Sequence, residues 1–129
     1  MGTDQKKKIL LVDDEEIFAN ILKLVLDKTG RFNIRIEHSG TAAIRAAREF
    51  DPDLIFLDII MPDMDGSQVA EEIRKTNPQK PVPIVFLTAV ITKNEQTTTG
   101  GLIGGYPFIA KPVEAEEVMR CINQHLGPA

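Results

Sequence analysis

The stretch Asp53-Leu54-Ile55-Phe56-Leu57-Asp58-Ile59-Ile60-Met61-Pro62-Asp63-Met64-Asp65-Gly66 decides the fold. Its opening apolar run, Leu54 to Leu57, is too short for a helix and dry enough for a strand buried on both faces. The run ends in a carboxylate, Asp58, and Pro62 stops further strand pairing. Asp63, Asp65 and Gly66 supply turn chemistry, and Asp65-x-x-Gln68 reads as a capped helix start. An acid at the carboxyl end of a central parallel strand stands where open α/β sheets place their ligand chemistry.

Working outward, Ile9-Leu10-Leu11-Val12 is a second dry strand, and it too ends in acids, Asp13 and Asp14. Glu15 and Glu16 carry the negative run into a helix N-terminus, where acids suit the macrodipole. Phe18, Ile21, Leu22 and Val25 follow helical spacing toward a stop at Gly30. Ile34-Arg35-Ile36-Glu37-His38 alternates apolar and polar residues, as a half-exposed edge strand should. Ser39-Gly40 opens a second helix that turns Ala43, Ile44, Ala47 and Phe50 inward. A third helix, from about Ser67 to Thr76, turns in Val69 and Ile73. Ile84-Val85-Phe86-Leu87 is a further dry strand, ending in Thr88. Phe108-Ile109-Ala110 is a short last strand, followed at once by Lys111-Pro112. A final helix carries Val118, Ile122 and Leu126 inward.

This alternation predicts an α/β fold: a flavodoxin-like open parallel sheet of five strands with five helices on its two faces. Placing the half-polar second strand at an edge gives the order 2-1-3-4-5. The switch point then falls between strands one and three, which end in Asp13-Asp14 and Asp58. One segment fits poorly. Residues 92–105 should hold the fourth helix, yet they are rich in threonine and include Gly100, Gly101, Gly104 and Gly105, with Leu102-Ile103 the only apolar pair. Glycine costs about 1 kcal/mol relative to alanine in a helix interior. A short, frayed helix is expected there.

At 129 residues the chain fits one domain. A formal charge of −4 argues against general affinity for nucleic acid or anionic membranes. The lone cysteine, Cys121, excludes an internal disulfide and reads as an inert packing residue, which suits a reducing, cytoplasmic compartment. No run approaches the roughly 18 apolar residues of a membrane span. Lys6-Lys7-Lys8 reads as a solvated lead-in to the first strand, His38 as an edge-strand residue and His125 as a helix-end residue.

Three carboxylates converging at one end of a sheet repel unless a cation joins them. Oxygen-only ligands, few in number, point to Mg2+ with water completing the octahedron. Such a site beside a free carboxylate suits a phosphoryl group. Thr88 can donate a hydroxyl to a phosphoryl oxygen, and Lys111 adds a positive point charge. No phosphate-cradling glycine loop has the required spacing.

In order, VDDEE, LDIIMPDMDG, LTA and IAKP resemble the receiver domain of bacterial two-component response regulators. The resemblance spans roughly residues 7–127, so residues 1–129 read as a single receiver domain. It implies a switch in a phosphorelay rather than an enzyme on outside substrates. Asp58 would be the phosphoacceptor, taking a phosphoryl group from a histidine kinase or phosphotransfer protein. Asp14, Asp58 and the main-chain carbonyl of Ile60 would bind Mg2+ directly, and Asp13 through water. Thr88 and Lys111 would bind the phosphoryl oxygens, and Phe108 would turn inward when Thr88 moves. Tyr106, two positions away, does not match that role. The Lys111-Pro112 peptide bond would be cis. Apolar Ile60 and Val90 would flank the hydrolytic water without orienting it, giving a persistent phosphoprotein. Downstream, an effector protein or a missing output domain would read the face of the fourth helix, fifth strand and fifth helix. No output domain follows residue 127, which suits a stand-alone receiver or a piece of a longer regulator.

Two other readings fit parts of this set. A magnesium-dependent phosphohydrolase with an Asp nucleophile would need a second acid two residues on, where this chain has Ile60. A receiver-like binding module without phosphorylation would have no use for the full set of Asp13, Asp14, Asp58, Thr88 and Lys111.

Overall fold

In a computed structural model of the chain, residues 6–76, 78–89, 102–103 and 106–127 are described. In order they form β1 (Lys7–Val12), α1 (Glu16–Asp27), β2 (Phe32–Glu37), α2 (Gly40–Phe50), β3 (Leu54–Asp58), α3 (Gly66–Thr76) and β4 (Ile84–Thr88). After these come β5 (Leu102–Ile103), β6 (Tyr106–Ala110) and α4 (Ala115–Leu126). Strands β2-β1-β3-β4-β6 pair in parallel in that order, which is the expected 2-1-3-4-5 arrangement.

β3 lies at the centre because both its faces are apolar. Leu54 and Phe56 pack with α1 and α4 on one side, while Ile55 and Leu57 pack with α2 and α3 on the other. All four are fully buried. At about 1.5–3 kcal/mol for each large apolar side chain removed from water, this strand anchors both layers. The register sets Ile9 beside Leu54 and Val12 beside Leu57, so the acids that follow β1 come level with the end of β3.

Two local features differ from the sequence reading. α1 buries Ala19, Leu22 and Leu26, whereas Ile21 is 58% exposed, beside Ile17 at 78% and Leu24 at 60%. The helix is apolar on two sides, so periodicity alone could not choose which side faces the sheet. The second difference is Leu102–Ile103, which is not helical but a two-residue strand running antiparallel to β6 at the sheet edge. The rest of the expected fourth helix, including Gly100 and Gly101, lies outside the described residues, as does Val90.

Helix starts are locally encoded. Ser39 caps α2 by accepting a hydrogen bond from Ala42 N at 3.2 Å. Before α3, Asp65 Oδ1 accepts from Ser67 N at 2.8 Å, while Gln68 Oε1 accepts from Asp65 N at 3.3 Å. Gly66 is required by close approach. A Cβ there would lie 2.6 Å from Ile59 Cα and 2.7 Å from Asp58 O. Cys121 is buried in the α4 core, and burial pushes its thiol up to about 11, consistent with packing rather than reactivity.

Candidate functional site

The carboxyl ends of β1, β3, β4 and β6 bring together the residues singled out from the sequence. Asp58 closes β3, Thr88 closes β4, Asp13 and Asp14 follow β1, and Lys111 follows β6. Asp13, Asp58 and Thr88 are buried, and Asp14 is exposed at the mouth. One carboxylate oxygen from each of Asp13, Asp14 and Asp58 falls within 4.8 Å of the others.

Backbone geometry holds Asp13 and Asp58 in place. Asp13 N donates to Glu37 O at 3.1 Å, and His38 Nδ1 donates to Asp13 O at 2.9 Å. Asp13 Oδ1 accepts from Glu15 N at 2.9 Å. Asp58 Oδ1 accepts from Ile60 N at 3.2 Å, where the chain turns out of β3. Lys111 N donates to Thr88 O at 2.8 Å, which ties the ends of β4 and β6, and the Lys111–Pro112 peptide bond is cis.

Charge at the site is unbalanced. Lys111 Nζ lies 2.8 Å from Asp13 Oδ2, 2.6 Å from Glu15 Oε1 and 3.6 Å from Asp58 Oδ2. It also stands 4.8 Å from the centre of the Phe18 ring. Burial works against the charge on Lys111, but hydrogen bonds to Asp13 and Glu15 outweigh it and hold its pKa above the usual lysine value. Asp58 is pushed from 3.8 up to about 7, first by burial and then by the Asp13 charge, with Lys111 only partly offsetting the rise. A cation placed among the three acids would relieve that repulsion. The buried Asp13 Oδ2 supports such a fit, because the Lys111 ammonium at 2.8 Å is shared with Glu15 and leaves the converging acids with an excess of negative charge. Carboxylate oxygens suit a hard divalent ion.

The remaining named positions lie outside this cluster. Ile60 is 59% exposed on the loop after β3. Phe108 is half-buried on the α2–α3 side and pairs across the sheet with Phe86. Tyr106 lies on the same side, with its hydroxyl accepting from Arg74 at 2.9 Å and its ring edge-on to Phe86 at 5.4 Å. Three contributors were not recognised from sequence. In the sequence Glu15 looks like a helix-end charge, and in the fold it binds Lys111. His38 looks like an edge residue and holds Asp13. Asp63 looks like turn chemistry and reaches α2, accepting from Gly40 N at 2.9 Å and Thr41 N at 3.1 Å.

Known proteins resemble this chain in both sequence and fold. The response regulator receiver domain family matches residues 9–123. An uncharacterized transcriptional regulatory protein of Bacillus subtilis, YkoG, is 37% identical over 95% of this chain and 52% of its own length. The probable transcriptional regulatory protein TcrX of Mycobacterium tuberculosis is 36% identical over 89% of this chain and 47% of its own. The chain thus spans about half the length of these curated relatives. Among solved structures, a putative response regulator from Chloroflexus aurantiacus superposes with a TM-score of 0.80 at 27% identity, covering 96% of this chain and 100% of the other. The signal receiver domain of a putative LuxO repressor protein from Vibrio parahaemolyticus gives 0.79 at 26% identity, over 95% of this chain and 91% of that one. Sequence match and strand order converge, and the chain belongs to the response regulator receiver domain family.

Proposed function

We propose that this receiver stores a signal as an acyl phosphate on Asp58, accepted from the phosphohistidine of a histidine kinase or phosphotransfer protein. The observation that carries the reading is the Lys111 ammonium, 2.8 Å from Asp13 and 3.6 Å from Asp58, beside a carboxylate cluster short of positive charge. An Asp58 oxygen would form the new O–P bond as the P–N bond of the donor breaks. Asp14, Asp58 and the Ile60 carbonyl would hold Mg2+, with Asp13 acting through water. When bound, the ion neutralises phosphoryl and carboxylate charge. Thr88 and Lys111 would then bind the phosphoryl oxygens.

Asp58 is buried, and exposed apolar residues stand on two neighbouring elements. Ile60 stands on the β3–α3 loop, and the row Ile17, Ile21 and Leu24 runs along the outside of α1, just after the Asp13–Glu15 turn. Those side chains would offer a donor protein an apolar footing on elements that flank the acceptor. The readout would pass from Thr88 to Phe108 and the face of β6 and α4, toward an effector protein or an output domain. Ile60 carries no group that could orient water, so the phosphoprotein should persist.

The test is intact mass after treatment with acetyl phosphate and Mg2+. Wild type should gain one phosphoryl group and Asp58→Ala none, and a full adduct on the variant would refute the assignment. Following the adduct over time should show faster loss in Ile60→Asn, and equal loss would contradict the role given to Ile60.

A further inference from the structure

A single short segment, the turn from Glu37 to Thr41 between β2 and α2, touches both acid-bearing loops. On one side it grips the backbone of Asp13 at two points. Asp13 N donates to Glu37 O at 3.1 Å, and Asp13 O accepts from His38 Nδ1 at 2.9 Å. On the other side it meets the tip of the β3–α3 loop. Asp63 spreads its two carboxylate oxygens over the start of α2, Oδ1 accepting from Gly40 N at 2.9 Å and Oδ2 from Thr41 N at 3.1 Å. The Thr41 hydroxyl adds a longer contact at 3.3 Å.

The close fit at Gly40 shows how tightly these parts meet. A Cβ on Gly40 would fall 2.8 Å from Met64 Cβ and 2.8 Å from Val69 Cγ2, so only glycine lets the β3–α3 loop lie against α2. The loop base is closed separately, by Gly66 N donating to Ile59 O at 2.6 Å and by a bridge between Ile60 and Asp65. Tip and base are therefore both fixed, and Ile60 stands in the base, three residues before the Asp63 tip. Hydrogen bonds from Gly40 and then Thr41 also hold the Asp63 carboxyl below its ordinary pKa.

From these contacts we infer that the β2–α2 turn is a bracket that sets the spacing of the divalent-cation site, with Asp63 and His38 as positioning residues. Asp13 is placed from one arm of the bracket, and the Ile60 carbonyl from the other. Neither Asp63 nor His38 would meet the ion itself; Asp63 acts through the loop that carries the Ile60 carbonyl, and His38 through the backbone of Asp13, whose carboxylate would reach the ion by way of water. The inference rests on the cation reading proposed above and goes beyond it by assigning how the acids and the carbonyl are held at a common distance.

Ser39 provides the control. It caps the same helix, accepting from Ala42 N, but has no contact with the β3–α3 loop among its described hydrogen bonds. The experiment is Mg2+ titration of the unphosphorylated protein by calorimetry, with urea unfolding alongside, for wild type, Asp63→Ala, Asp63→Asn, His38→Ala and Ser39→Ala. Asp63→Ala and His38→Ala should each weaken Mg2+ binding about tenfold, the low end for outer-shell partners of metal ligands. Asp63→Asn retains one acceptor oxygen and should recover part of the affinity. Ser39→Ala should lose stability yet bind Mg2+ as wild type does.

Asp63→Ala or His38→Ala matching wild type would overturn the bracket while leaving the cation site intact. So would Ser39→Ala weakening Mg2+ as much as Asp63→Ala, which would reduce the effect to helix stability. Asp63→Asn as weak as Asp63→Ala would overturn it too, because the loss would then follow charge rather than geometry. Wild type failing to bind millimolar Mg2+ would instead overturn the cation reading itself.

Discussion

The Lys111 ammonium stands 2.6 Å from the Glu15 carboxylate, closer than to Asp13 at 2.8 Å or Asp58 at 3.6 Å. The lysine proposed to bind the phosphoryl group is thus held by an acid outside the predicted set. Glu15 is 62% exposed at its side chain, so solvent screens the pair, and its net strength is modest. Before phosphorylation the ammonium must leave Glu15, or share it, to meet an incoming phosphoryl oxygen.

Glu15→Gln should therefore speed labelling of Asp58 by acetyl phosphate. An exposed ion pair is worth at most about 1 kcal/mol, which sets the gain at about two- to fivefold. Initial rates at fixed Mg2+ measure it. Equal or slower labelling would mean that Glu15 orients Lys111 usefully rather than competing for it.

A second prediction follows from the raised pKa of Asp58. The ordinary carboxylate value is 3.8, and burial with the neighbouring Asp13 charge lifts it to about 7 in the folded chain. Between those values the folded state binds more protons than the unfolded one, so stability falls as pH rises. The contribution is fully present below about pH 4 and lost as pH passes 7. Asp58→Asn removes the titration, and without metal it should gain about 2–3 kcal/mol on wild type between pH 5 and pH 8. Urea unfolding in EDTA at the two pH values tests this. A constant difference between the two proteins would show that Asp58 does not titrate in that window.

The parts legible in the sequence share a physical reason. β1, β3 and β4 are buried on both faces along their apolar runs, which stand out from everything around them, and each run leads into a polar residue at the end of the sheet that carries the candidate site. Register then brought Asp13, Asp58, Thr88 and Lys111 to one place. Less legible were contacts that depend on facing and not on composition. Ile21 satisfies helical spacing, yet Ala19, Leu22 and Leu26 take the core side. Glu15, His38 and Asp63 are polar residues in turns, and polar turns are common. Only the folded chain shows that Glu15 meets Lys111 across 96 positions of sequence. A signal for Asp63 did exist, because Gly40 after a capping serine left room for another loop, but nothing in the pattern named the loop.

The last prediction separates the structural demand at Gly66 from ordinary helix stability. Gly66 begins α3 where the chain folds back on β3, and its N–H donates to Ile59 O at 2.6 Å. An alanine Cβ there would approach Ile59 Cα to 2.6 Å and Asp58 O to 2.7 Å. Both are backbone atoms, and neither can swing aside as a flexible side chain would. The strand end or the helix start must shift, at a cost of about 1–3 kcal/mol for overpacking. Because the displaced atoms belong to Asp58 and its neighbour, the acceptor should move with them. Gly66→Ala is therefore expected to lose stability and to slow Asp58 labelling together. Gly30→Ala is the matched comparison. Gly30 has φ of +71° with nothing within 4 Å of a Cβ, so it should lose about 1–2 kcal/mol from backbone conformation alone. Its labelling rate should equal that of wild type, since Gly30 lies beyond α1, away from the acids. Parallel unfolding and labelling of the two variants decides the matter. If both lose the same stability and both label normally, the contact between Gly66 and the end of β3 does not govern the geometry of Asp58.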